Sequence, residues 1–174
     1  MRRDELIAAG VKLLGAEGGP ALTVRAVCRE AGLTERYFYE SFADRDEFVR
    51  AVYDEVCTRA MAALRTADTA REAVERFVGL MVDDPTGGRV LLLAPPSEPA
   101  LSRSGAEWMP SFIELLQHKL TRITDPAAQA MTATALIGAL TTLFPAYLDG
   151  RLSVTREQFI DYCVDLLLNR VSSY

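Results

Sequence analysis

At 174 residues, 49% hydrophobic and 25% charged, the chain is long enough for one domain, or a small domain joined to a medium one, around a real core. A net charge of −5 excludes a protein that coats nucleic acid non-specifically, so any DNA contact must come from a few placed groups. Cys28, Cys57 and Cys163 are odd in number, far apart and without a CxxC pair, which excludes a disulfide framework. Buried thiols in a reducing cytoplasm are the first reading of them, and a redox sensor the second. The opening stretch, MRRDELIAAG, places acids directly after its arginines and lacks the apolar run of a signal peptide. Lys12 and Lys119 are the only lysines. Arginine suits bidentate contacts to phosphate or guanine, and its abundance equally fits a GC-rich coding sequence.

Helical periodicity dominates and no alternating strand pattern stands out, which predicts an all-α protein. Leu6, Ile7, Val11, Leu13 and Leu14 form the stripe of a first helix, ended by Gly18, Gly19 and Pro20. Thr23 is suited to cap a second helix that runs to about Ala31, where Gly32 stops it. Thr34 is expected to cap a third, ending near Ser41. A fourth starts near Arg45 with Phe48, Val49, Val52, Val56 and Ala60 at spacings of three and four. A stripe from Ala70 to Met81 follows and ends at DDPTGG, after which Arg89 to Ala94 reads as a short apolar piece. Pro95 to Gly105 reads as a long irregular connection, and Trp108 to Ile123 as another helix.

From Ala127 to Leu148 there is no charged residue, about the length a bilayer requires. Gln129 and four threonines interrupt it, so a helix buried on nearly every side is expected instead, with no membrane partner. A last helix carries Phe159, Ile160, Cys163, Val164 and Leu167.

A short helix, a glycine turn and a second short helix, packed on a longer one, form a helix-turn-helix. Leu33, Phe38 and Phe42 fall on the inward side, leaving Glu35, Arg36, Tyr37, Tyr39 and Glu40 outside. The stretch LTVRAVCREAGLTERYFYESFADRDEFVRAV resembles the DNA-binding signature of the TetR family of transcriptional regulators. Val27-Cys28 stand at that family's Ile-Ala positions and Leu33-Thr34 at its Val-Ser positions. Phe38-Tyr39-Glu40-Ser41-Phe42 matches its Leu-Tyr-x-x-Phe element, and Asp44-Arg45 its Ser-Lys turn. The match covers residues 3 to about 56. Arg36 and Tyr37 depart from the small residues usual there, so base preference cannot be borrowed from a relative.

The resemblance implies a helix-turn-helix domain over residues 1–46 and a helical ligand-binding and dimerisation domain over 47–174, linked by the fourth helix at about 45–66. It implies a homodimer on a palindromic double-stranded DNA operator, a repressor released by a small effector, working in the cytoplasm. Thr23, Arg25, Thr34, Glu35, Arg36, Tyr37, Tyr39 and Arg45 are the expected DNA-facing residues. Arg25 and Arg36 would read base edges, while Thr34, Tyr37, Tyr39 and Arg45 would hold the phosphate backbone. Within residues 1–50, eight basic residues face nine acidic ones, so affinity would rest on placed contacts and on two subunits acting together.

Large side chains on the later helices, Phe77, Met81, Trp108, Met109, Phe112, Met131 and Phe144, are candidate lining for a mostly apolar effector. For the dimer, Ala135, Gly138, Ala139 and Thr142 offer a small-residue seam. The last helix adds Phe159, Cys163 and Leu167 on one side and Tyr162 and Leu166 on another, enough for a core and a partner. No cofactor or metal is implied. The sequence has no GxSxG, GxxxxGK or HExxH, and His118 is its only histidine, so the parts of an enzyme are missing. A helical regulator that acts on protein partners without a ligand, or as an activator, is the alternative reading.

Overall fold

The computed structural model describes residues 2–17 and 22–169, and every regular element among them is helical. Three short helices, α1 (Arg2–Leu14), α2 (Val24–Ala31) and α3 (Glu35–Ser41), lead into the long α4 (Arg45–Arg65). They are followed by α5 (Ala70–Val78), α6 (Pro85–Leu92), α7 (Ser104–Lys119), α8 (Pro126–Leu148) and α9 (Arg156–Asn169). A π-helical turn, Gly79–Asp83, joins α5 to α6, and a 3-10 turn, Pro99–Leu101, precedes α7. Gly18, Gly19 and Pro20, the expected end of the first helix, lie outside the described residues.

Local chemistry sets the helix-turn-helix. The Thr23 hydroxyl accepts from the Ala26 N–H at 3.2 Å and opens α2. Gly32 closes it at φ 66°, a left-handed conformation that glycine takes without strain. Thr34 stands at the N-cap of α3 but makes no side-chain capping bond, contrary to expectation, and its hydroxyl is left over. Asp44 caps α4 by accepting from the Glu47 N–H at 2.7 Å, while Glu47 reaches back to the Ala43 N–H at 2.7 Å. These reciprocal bonds fix the angle at which α4 leaves α3.

Packing then joins the reading helices to the rest. Phe38, fully buried, lies 5.2 Å from the Phe48 ring and 5.6 Å from Phe42, and Phe42 meets Phe48 edge-on at 5.0 Å. One continuous core runs from Leu6 in α1 through Val49 and Val52 in α4 to Phe144 and Val164, with no break near residue 46. A smaller cluster joins Leu120 and Ile123, beyond α7, to Ala133 and Leu136 of α8.

One expectation is corrected here. The PTGG stretch is not a break, because α6 begins at Pro85, whose missing N–H costs nothing at a helix start. Gly88 is needed inside α6 for close approach: a Cβ there would sit 1.8 Å from the Met81 carbonyl oxygen. Likewise a Cβ on Gly15, just past α1, would lie 2.2 Å from the Thr86 carbonyl oxygen, so α6 presses directly on the end of α1.

Only part of α8 is covered by its own chain. Its most apolar stretch has a mean hydropathy of 1.4, yet only 17% of that stretch is buried. Ala133, Leu136 and Phe144 are buried and Leu140, Leu143 and Tyr147 pack against the core, while Met131, Ala135, Gly138 and Thr142 stand in the open. By length and composition α8 could cross a membrane. Its polar Gln129 is instead tied down, donating to the Leu120 and Ile123 carbonyls at 3.1 and 3.4 Å.

Candidate nucleic-acid interface and ligand cavity

With Phe38 driven into the core, helical geometry puts Glu35, Arg36, Tyr39 and Glu40 on the outside of α3, and all four are exposed. Tyr39 is 58% exposed and rests edge-on against Phe38 at 5.4 Å. Tyr37 is half-buried, with the Arg2 guanidinium 3.9 Å above its ring. Arg25 projects from the first turn of α2 and touches Glu35 at 3.5 Å, while Arg36 donates to Glu40 at 2.8 Å. Exposed pairs of this kind are worth at most about 1 kcal/mol, so either arginine exchanges its carboxylate for a phosphate or guanine at little cost. Thr23 is committed to capping, whereas Thr34 keeps its hydroxyl and is exposed.

Arg45 has a different place from the one expected. Instead of facing outward it donates from Nε to the Leu22 carbonyl at 2.8 Å and forks onto Glu98, at 3.1 and 2.6 Å. The Arg45 hydrogen bonds hold the Glu98 carboxyl below its ordinary value, against the opposing pull of burial. Glu98 also accepts from the Ala100 N–H at 3.3 Å and so fixes the 3-10 turn. The pair therefore ties the segment before α2 to the connection between α6 and α7. Because the folded carboxyl is lowered, its contribution is complete at neutral pH and fades as pH falls below the ordinary 4.5. Glu98→Gln is expected to lower stability by about 1–2 kcal/mol at pH 7, between the values for exposed and buried pairs. The deficit should shrink on acidification, as urea melts at neutral and acidic pH would show.

A cavity of about 290 Å³ lies between α4, α5, α6, α7 and α8. Of the expected residues, Phe77, Trp108, Met109, Phe112 and Phe144 line it. Met81 does not, being buried at the α5–α6 junction, and Met131 does not, pointing outward at 67% exposure. Sequence reading missed Tyr53 of α4, Leu91 and Leu92 of α6, Ile137, Leu140 and Thr141 of α8, and Lys119. The aromatic walls are braced: Phe77 meets Phe144 edge-on at 4.8 Å, and Trp108 Nε1 donates to Asp54 at 2.7 Å.

Ala135, Gly138 and Thr142 lie exposed along α8, Ala139 beside them is half-buried, and Tyr162 of α9 is 58% exposed. Phe159, against Phe144 and Tyr147, and Cys163 are instead enclosed in their own chain, with almost no surface left for a partner. Leu166 and Leu167 are half-buried, and Leu167 also borders the cavity. Burial pushes the Cys57 thiol up to about 12 and Cys163 to about 11, so neither is a reactive thiolate at neutral pH.

Residues 6–52 match the family model of the bacterial regulatory proteins, tetR family. No curated protein matches the chain. Among solved structures, the chain is similar to a TetR-family transcriptional regulator from Rhodococcus sp., with 20% identity and a TM-score of 0.76 over 98% of both chains. It is similar to the multidrug binding protein EbrR complexed with malachite green, with 26% identity and a TM-score of 0.68 over 97% of both. It is also similar to the transcriptional regulator FadR from Bacillus subtilis in complex with stearoyl-CoA, with 16% identity and a TM-score of 0.74 over 98% of both. That family's model lies on α1 to α4, and the fold of TetR-family regulators continues over nearly the whole chain.

Proposed function

We propose that the chain is a dimeric repressor of transcription in the cytoplasm, a binding protein rather than an enzyme, released from a palindromic operator when a small apolar molecule enters the cavity. The observation that carries the reading is the division of labour in α3. Phe38 fixes the helix from inside while Arg36, Tyr39 and the Thr34 hydroxyl stand unburied outside, next to Arg25. Residues 1–46 would then be the reading head and 47–174 the body that senses the ligand and pairs the subunits.

Release needs mechanical contact between cavity and reading head, and two contacts supply it. Leu91 and Leu92 of α6 border the cavity, and the same helix presses Thr86 against Gly15. Pro95 and Gly105 border the cavity on either side of Glu98, which holds Arg45. An occupant that spreads these walls shifts both contacts, and so biases the angle of α3 in a dimer. Pairing through the open face of α8 would bury the apolar surface that a single chain leaves in water.

An electrophoretic shift with DNA from upstream of its own gene tests the reading directly; no retarded complex would sink it. Arg25→Ala and Arg36→Ala should each relax preference at one base pair per half-site, by roughly 1–3 kcal/mol of discrimination. Sites selected by each variant from random DNA check this. If both variants keep the wild-type preference, base reading lies elsewhere on α3.

A further inference from the structure

The cavity's chemistry is one-sided. Five aromatic side chains, Tyr53, Phe77, Trp108, Phe112 and Phe144, and a set of aliphatic ones form its walls. Among the described residues, Lys119 is the one lining residue charged at neutral pH, and none that lines the cavity is acidic. Lys119 ends α7 and is exposed, so its end of the cavity reaches water. Its ammonium donates to the Ala67 carbonyl at 2.8 Å, which anchors it beside the end of α4 and leaves two N–H groups. Thr141, the other hydroxyl on the wall besides Tyr53, spends its proton on the Gly138 carbonyl at 3.0 Å.

We propose that the ligand is a compact amphipathic acid, its apolar body held among the aromatic walls and its carboxylate against Lys119. The inference rests on the reading of this cavity as the effector site. A cationic ligand would enter a site that offers no carboxylate and already holds one positive charge, so it would lose hydration without a partner. A neutral alcohol would fill the walls but gain only an ordinary hydrogen bond at the head. An anion gains a charge-assisted one. At about 30 Å³ per water-sized group, the volume holds on the order of ten non-hydrogen atoms, a short-chain or single-ring acid.

Titration calorimetry of the intact protein with octanoate, octan-1-ol and octylamine varies the head group on one tail. Octanoate should bind roughly tenfold tighter than octan-1-ol, with octylamine weakest, and the preference should narrow as salt rises. Lys119→Met should bring octanoate down to about the level of octan-1-ol while weakening octan-1-ol far less, and Lys119→Arg should keep the preference. Octylamine binding as tightly as octanoate, a preference that survives in Lys119→Met, or no binding of any of the three would each overturn the inference. DNA affinity followed in the same titrations separates it from the reading beneath it. Octanoate that binds by this pattern without loosening DNA supports the acid site and removes ligand release. Octan-1-ol that loosens DNA as effectively as octanoate keeps ligand release and removes the acid site.

Discussion

If the chain pairs through α8 as proposed, Gly138→Arg should give folded monomers. In the single chain a Cβ at Gly138 has nothing within 4 Å, so the long side chain meets no obstacle in its own fold. Replacing glycine within a helix even favours the helix by about 1 kcal/mol. In a dimer built on α8 the same position lies at the seam, and two-fold symmetry brings in two arginines. Each buried charge without a partner costs on the order of 3–5 kcal/mol, at least about a hundredfold in the dissociation constant. Sedimentation should show the native protein as a dimer and the variant as a monomer at the same concentration, with an unchanged helical circular dichroism spectrum. DNA binding should fall with it, because one reading head alone has few placed contacts. A variant that still sediments as a dimer removes α8 from the interface.

Phe38→Ala should cost about 3–5 kcal/mol, a large share of a total stability that is about 5–15 kcal/mol for ordinary domains. The ring is fully buried and touches Phe42, Phe48 and Tyr39, so truncation leaves a cavity where α3, α4 and α1 converge. Phe38→Leu keeps most of the volume and should cost less than about 1.5 kcal/mol. Thermal melts give both values. A loss under about 1 kcal/mol for Phe38→Ala would mean that the aromatic cluster does not hold α3 in place.

What the sequence disclosed followed from local rules. The inward set Phe38, Phe42 and Phe48, the Thr23 cap and the Gly32 stop depend on spacings of a few residues, and each stands where it was expected. The bond from Arg45 to Glu98 was not legible because the two lie 53 residues apart, a distance at which periodicity carries no information. The α6 start was missed because Gly87 and Gly88 read as breakers, whereas the reason for Gly88 is the nearby Met81 backbone. On α8, apolar on every side, no stripe marks the inward face. Met131 therefore looked as good a cavity residue as Ile137 or Leu140. Lys119 gave no signal beyond being one of two lysines.

The most direct test of a dimeric, sequence-reading regulator is selection of binding sites by the native protein from a random pool of double-stranded DNA. One inverted repeat should be enriched, its half-sites centred about one helical turn, or a multiple of it, apart. Enrichment of no sequence, or of a single half-site without symmetry, would contradict that reading.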